Sequence, residues 1–224
     1  MTENSISNEQ TGLDKAAIWL SRLTTPTIMP TLVFIFIFIG SYLRIMPVAY
    51  RMMVVGIVAC FTCLLPALFM LALRIFDKTS SGAKDANSDK GQTRFMFASS
   101  YLVCIVLMAK LGMPWYLTAV PLASLLIMLL CYLLGIWWRV SLHMAAMGGV
   151  IGSLVMFAML LGYNPVWALA ALVLLAGLLG TARIVAAEHT NLQVFGGFAI
   201  GFIIACLLLY PTSSLLLQKL LFIY

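Results

Sequence analysis

Trp115–Trp138 reads WYLTAVPLASLLIMLLCYLLGIWW, 24 residues without a charged side chain and with a tryptophan pair at the end. A helix rises about 1.5 Å per residue, so about 20 apolar residues cross the roughly 30 Å hydrocarbon layer of a bilayer. This segment therefore reads as a transmembrane helix. Outward from it the pattern repeats. Ile28–Leu43, Met52–Leu73 and Phe95–Ala109 precede it, and Met144–Tyr163, Val166–Thr181 and Val194–Tyr210 follow. The breaks are explicit: Arg44, Arg74, Lys110 to Pro114, Arg139 to His143, Tyr163-Asn164-Pro165, and Ala182 to Asn191. The spacing predicts seven candidate spans. Composition agrees, with 63% hydrophobic and 9% charged residues in 224 and a mean hydropathy of +1.08. A soluble chain is about half apolar and a quarter charged, and one this apolar has no means of hiding its surface from water. Disorder, a disulfide scaffold and a coiled coil are excluded on the same grounds. The ten-residue alternation of a membrane barrel is missing. The expected fold class is all-α, a polytopic transmembrane helical bundle.

The chain divides by composition. Residues 1–27 are polar to interfacial, with Ala16, Ala17, Ile18, Leu20 and Leu23 set against Lys15 and Arg22 as in a helix lying in the membrane surface. No basic start precedes an apolar stretch there, so no cleavable signal peptide is expected. Residues 28–76 hold two N-terminal spans, and 77–94 (DKTSSGAKDANSDKGQTR) are expected as an aqueous loop. Residues 95–210 carry the remaining spans, and 211–224 form a C-terminal tail. Gly148, Gly149 and Gly152, and again Gly196, Gly197 and Gly201, are spaced as small residues are where helices pack closely in lipid. Pro30, Pro47, Pro66 and Pro121 read as helix starts or kinks.

All five cysteines lie in apolar runs, and Cys60–Cys63 is a CxxC inside a helix with no second pair, so they read as small hydrophobes and not as metal or redox ligands. The net charge of +6 comes from basic residues scattered between apolar runs. In a membrane protein these set topology or bind headgroups, and no nucleic-acid partner is expected.

Counting seven spans sorts the polar residues by face. The N-terminus, loop 77–94 and the breaks at 139–143 and 182–191 fall on one face, called here the polar face; 44–51, 110–114, 163–165 and the tail fall on the other. The polar face carries nine of the Lys and Arg residues and the opposite face four, namely Arg44, Arg51, Lys110 and Lys219. Positive-inside counting would put the polar face in the cytoplasm. Setting aside Lys90, Arg94, Arg139 and Arg183 as phosphate ligands leaves five against four and no bias. The chain's two histidines, His143 and His189, both fall on the polar face, each preceded by an arginine, Arg139 four residues before and Arg183 six before. An arginine and a histidine at a helix N-terminus, where backbone N–H groups point outward, suit a phosphate.

These segments resemble the type 2 phosphatidic acid phosphatases, the PAP2 superfamily. The third motif of that family is Ser-Arg, five residues, His, three residues, Asp, then an apolar glycine-containing helix. This chain has Thr181-Ala182-Arg183, five residues, His189, and Gln193 where the Asp is expected, followed by Gly196, Gly197 and Gly201. The second motif, Pro-Ser-Gly-His, is represented by Val140-Ser141-Leu142-His143, and the two intervening spans also fit. For the first motif, Lys, six residues, Arg-Pro, the chain offers Lys90 and Arg94, four positions apart and followed by Phe95, with Lys84, ten positions before Arg94, as the other candidate lysine. The run Trp137 to Ala145 is similar to a divergent bacterial branch of the family.

The resemblance covers roughly residues 77–210, with a PAP2-like core at 95–210 and a six-helix core as one form of the bundle. It implies an integral membrane lipid phosphate or lipid pyrophosphate phosphatase in the bacterial cytoplasmic (inner) membrane, its site commonly facing outward in bacterial relatives. The implied route runs through a phosphohistidine. His189 attacks phosphorus, His143 protonates the leaving oxygen, and Gln193 orients His189. Arg183, Arg94, Lys90 and Arg139 hold the phosphate, with the Ser141 hydroxyl as a further donor. It implies no cofactor and no metal; the partners are membrane lipids and a lipid phosphate substrate. Gln193 departs from the pattern. An amide can fix the imidazole tautomer but brings no negative charge, and the same exchange in a Ser-His-Asp triad costs about 10⁴ in rate. The alternative is a catalytically degenerate relative that binds lipid phosphate or has a structural role. A transporter would carry charges or broken helices at mid-membrane, which these runs lack.

Overall fold

The computed structural model describes residues 27–79, 86–186 and 189–210. Among them every regular element is helical. In chain order they are α1 (Met29–Gly40), a 3₁₀ turn (Tyr42–Ile45), α2 (Val48–Ala59), a π turn (Cys60–Leu64), α3 (Leu65–Thr79), α4 (Ala86–Lys110), α5 (Trp115–Leu134), α6 (Leu142–Leu161), α7 (Val166–Val185) and α8 (Asn191–Leu209). Six segments are long and apolar enough to cross a membrane: Val48–Ala72, Thr93–Lys110, and the whole of α5, α6, α7 and α8. Their outward faces are apolar, with Leu102, Leu133, Leu174 and Phe195 exposed, as suits contact with lipid chains. The expected helical bundle is the fold.

The boundaries differ from the sequence expectation in three places. The run Ile28–Leu43 gives only the 12-residue α1, about 18 Å long, because Gly40-Ser41 breaks it and Ser41 accepts from the Leu43 N–H at 3.2 Å to start a new turn. The stretch 77–94, expected as a loop, is helical from Ala86 onward, so α4 has polar first turns that run on into the apolar segment Thr93–Lys110. Finally, α7 runs to Val185, which puts Arg183 in its last turn, not in a loop.

The π turn has a direct chemical cause. Leu65 donates its N–H to Cys60 O, one residue further back than in an α-helix, and Pro66 has no N–H to offer Phe61 or Thr62. The Phe61 carbonyl is taken instead by the Ser100 hydroxyl of α4. Thr62 donates to Val58 O at 2.8 Å and lies 3.5 Å from the hydroxyl of Thr31 on α1. Cys63 donates to Thr27 O at 3.3 Å. These polar ties lock the kinked α2–α3 rod to α1 and α4 where lipid offers no other hydrogen-bond partners.

The most extensive helix pair is α6 with α8. Residues 141, 145 and 152 of α6 meet 197, 201 and 205 of α8 in the same order, so the two helices run parallel with both N-termini at one end. Their backbones touch. A Cβ on Gly197 would lie 2.6 Å from Ser141 O, one on Gly152 would lie 2.8 Å from Phe202 O, and Gly201 and Gly148 face the carbonyls of Ala145 and Phe198. The glycine spacing in the sequence is thus packing, as expected. In lipid, where apolar burial drives little association, this close contact of small residues supplies the attraction. Gly196 lies off the seam and takes the ring of Trp138 from the α5–α6 connection.

Candidate functional site

Two of the motif segments meet at the paired N-termini. Ser141 is the N-cap of α6 and is fully buried, and its N–H donates to Gln193 O at 3.4 Å. That bond joins the first turns of α6 and α8. On α8, Thr190 is the N-cap, and the Gln193 side-chain oxygen accepts from the Thr190 N–H at 3.1 Å, half of a capping box. The same oxygen lies 3.3 Å from Nδ1 of His189. In α7, Gly180 packs against Val194 and Met144, and the buried Arg183 follows it by one turn on the same helix face. Ser141, Arg183, His189 and Gln193 therefore gather where α6, α7 and α8 come together. Both N-termini add outward N–H groups and positive dipole ends. The Ser141 Oγ is buried with no hydrogen-bond partner among the described residues.

The other candidates stand apart from this group. His143, second residue of α6, is half-buried and lines a cavity of about 260 Å³ bounded by α1, α4, α5 and α6. At about 100° per residue, Ser141, Ala145 and Gly152 point toward α8 and His143 points to the far side of α6. His189, Gln193 and Arg183 are not in the cavity wall. Arg94 is exposed near the start of the apolar part of α4, its guanidinium 4.7 Å from the centre of the Tyr132 ring, and Tyr132 also lines the cavity. Arg139 is exposed in the connection before Ser141. Lys90 is in α4, but its side chain lies outside the described residues. The polar face thus carries a strip, from Arg94 and Tyr132 across the cavity to His143, then over the α6 N-terminus to Ser141, Gln193, His189 and Arg183.

The sequence reading missed the cavity. Its wall includes Tyr101 of α4, Ala123 and Ser124 of α5, and Ser153 of α6, all inside apolar runs. Small and hydroxylated residues in such runs were the available signal, but they become a site only when four helices are placed together.

Comparison of the chain with known protein families, with characterised proteins and with solved structures gives no match.

Proposed function

We propose that this protein is a membrane-integral lipid phosphate phosphatase of the PAP2 type, in a bacterial cytoplasmic membrane. One observation carries the reading: Ser141 and the His189–Gln193 pair, from segments some fifty residues apart in sequence, adjoin at two parallel helix N-termini. The phosphate of a lipid headgroup fits above these N-termini, its charge met by backbone N–H groups and Arg183. With Nδ1–H of His189 held by Gln193, the lone pair of Nε2 attacks phosphorus in line and the bond to the lipid oxygen breaks. His143 gives a proton to that oxygen. Water then attacks the phosphohistidine, His143 takes the water proton, and inorganic phosphate leaves.

The second reading is binding of lipid phosphate without turnover. It draws on two observations, the far-side direction of His143 and an amide in place of a carboxylate beside His189. Phosphate release from lipid monophosphates by the purified protein, beside a His189→Ala control, decides between them. Release that His189→Ala abolishes supports the enzyme. Saturable binding with no release in either protein supports the binder.

A further inference from the structure

The cavity is not accounted for by phosphate chemistry. Its wall is mostly apolar, with Val33, Ala123, Ile127 and Val150 among the residues facing it. Of its hydroxyls, Ser124 is already committed to Val120 O at 3.0 Å. Tyr132 and His143 stand near the helix ends on the polar face, while Ser153 lies ten residues beyond His143 in α6, about 15 Å deeper at 1.5 Å per residue. The lining therefore reaches about 15 Å inward from Tyr132 and His143, and apart from Tyr101, Ser124 and Ser153 its inner wall is apolar. Its volume of about 260 Å³ can be set against the roughly 150 Å³ apolar cavity that holds one benzene, which gives room for about ten carbons.

One chain fits such a space and two do not. We infer that this cavity receives the head-proximal part of a single hydrocarbon chain, so that the protein takes single-chain lipid phosphates, isoprenyl or monoacyl, in preference to two-chain phosphatidates. The headgroup half rests on the reading given under Proposed function; the chain half rests on the cavity alone. The geometry joins them, because His143 stands in the cavity wall and on the first turn of the helix whose N-terminus would face the phosphate.

The test uses the full-length protein in phosphatidylcholine nanodiscs, with radiolabelled farnesyl phosphate as probe. Competitors are unlabelled farnesyl phosphate, farnesol, oleoyl lysophosphatidate, dioleoyl phosphatidate and inorganic phosphate. The two single-chain phosphates are expected to displace the probe at least ten-fold more effectively than dioleoyl phosphatidate. Ala123→Phe and Ser153→Phe, which fill the cavity from different helices, are expected to weaken farnesyl phosphate and farnesol ten-fold or more and to leave the affinity for inorganic phosphate unchanged. Met128→Ala widens the space without filling it, and is expected to reduce the preference for one chain over two, which keeps the inference open to refutation if both filled variants unfold. Equal displacement by dioleoyl phosphatidate, or chain binding unchanged in folded filled variants, overturns it. Farnesol binding that the filled variants block, with no gain from the phosphate, keeps the chain site and removes the headgroup reading. Inorganic phosphate binding with no contribution from any chain does the reverse.

Discussion

The side-chain oxygen of Gln193 serves two neighbours, Nδ1 of His189 at 3.3 Å and the backbone N–H of Thr190 at 3.1 Å. The residue that would orient the candidate nucleophile is therefore also a member of the capping box of α8, whose N-cap is Thr190. Gln193→Glu keeps the length needed for the cap and adds the missing charge behind the imidazole. It is expected to raise phosphate release if turnover is limited by imidazolium formation. Gln193→Asp brings the same charge on a shorter side chain and gains less. Gln193→Ala loses the hydrogen bond to the Thr190 N–H, at about 0.5–1.5 kcal/mol, and the orientation as well. Turnover and thermal unfolding measured on the three variants separate the effects. Unchanged turnover in all three, with His189→Ala inactive, would show that position 193 does not address the histidine.

Gly201 against the Ala145 carbonyl sets the closest approach of α6 to α8. Gly201→Ala must push two backbones apart, so the cost is expected at the upper end of the 1–3 kcal/mol typical of overpacking. It also separates Ser141 from Gln193. Gly56→Ala is the matched control, because a Cβ at Gly56 meets nothing within 4 Å, and a helix gains about 0.8–1 kcal/mol from the same exchange. Reversible unfolding in mixed micelles checks both. Equal stabilities would mean that the seam tolerates a methyl group and that the parallel contact is looser than described.

The bundle was legible in the sequence because lipid leaves few options: uncharged runs of membrane length separated by Arg, Lys, Pro and Asn-Pro breaks have to be helices. The four-residue glycine spacing announced the α6–α8 seam, though not that the helices it joins are parallel. Helix ends were harder. Arg183 looked like loop because its neighbours thin out in hydrophobicity, yet nothing in Ala182 to Val185 breaks a helix. Ala86 to Arg94 looked like loop because it is polar, and polarity alone does not stop a helix that has no proline. For the site, the motif spacing brought out Ser141, Arg183, His189 and Gln193, which the fold gathers. The same motifs brought out His143 and Arg94, and Arg139 was chosen for standing four residues before His143; the fold sets these three apart from that group. The only sequence signal of the cavity, small and hydroxylated residues inside apolar runs, does not locate it, since Tyr101, Ala123 and Ser153 lie on three helices and acquire a common surface only through tertiary packing.

Ser100 and Pro66 should be energetically coupled although they never touch a common ligand. Pro66 cannot donate to the Phe61 carbonyl, and the Ser100 hydroxyl does so instead. Ser100→Ala is expected to cost about 1–3 kcal/mol by leaving a part-buried carbonyl unsatisfied where lipid supplies no donor. In a Pro66→Ala background the restored N–H can take that carbonyl, and the same Ser100→Ala change should cost measurably less. A double-mutant cycle on unfolding free energies reads the coupling directly. Strict additivity would show that the π turn does not arise from the missing proline donor.

The two histidines are assigned different jobs, and leaving-group chemistry separates them. His189 forms a bond to phosphorus whatever the leaving group, so His189→Ala is expected to abolish release from every substrate. His143 is needed only where the departing oxygen requires a proton. With a lipid alkoxide, His143→Ala should lower the rate by about 10²–10⁴, the usual contribution of a positioned acid. With an aryl phosphate such as p-nitrophenyl phosphate, whose phenolate leaves without protonation, the first step should survive. Phosphohistidine should then accumulate, because the same residue is needed to activate water in the second step. Rapid quenching at alkaline pH, where a phosphoramidate persists, would reveal it as a labelled band absent from His189→Ala. The far-side direction of His143 in the cavity wall makes this the sharpest test of the catalytic reading. If His143→Ala slows phosphohistidine formation from aryl and alkyl substrates equally, the residue is not the acid.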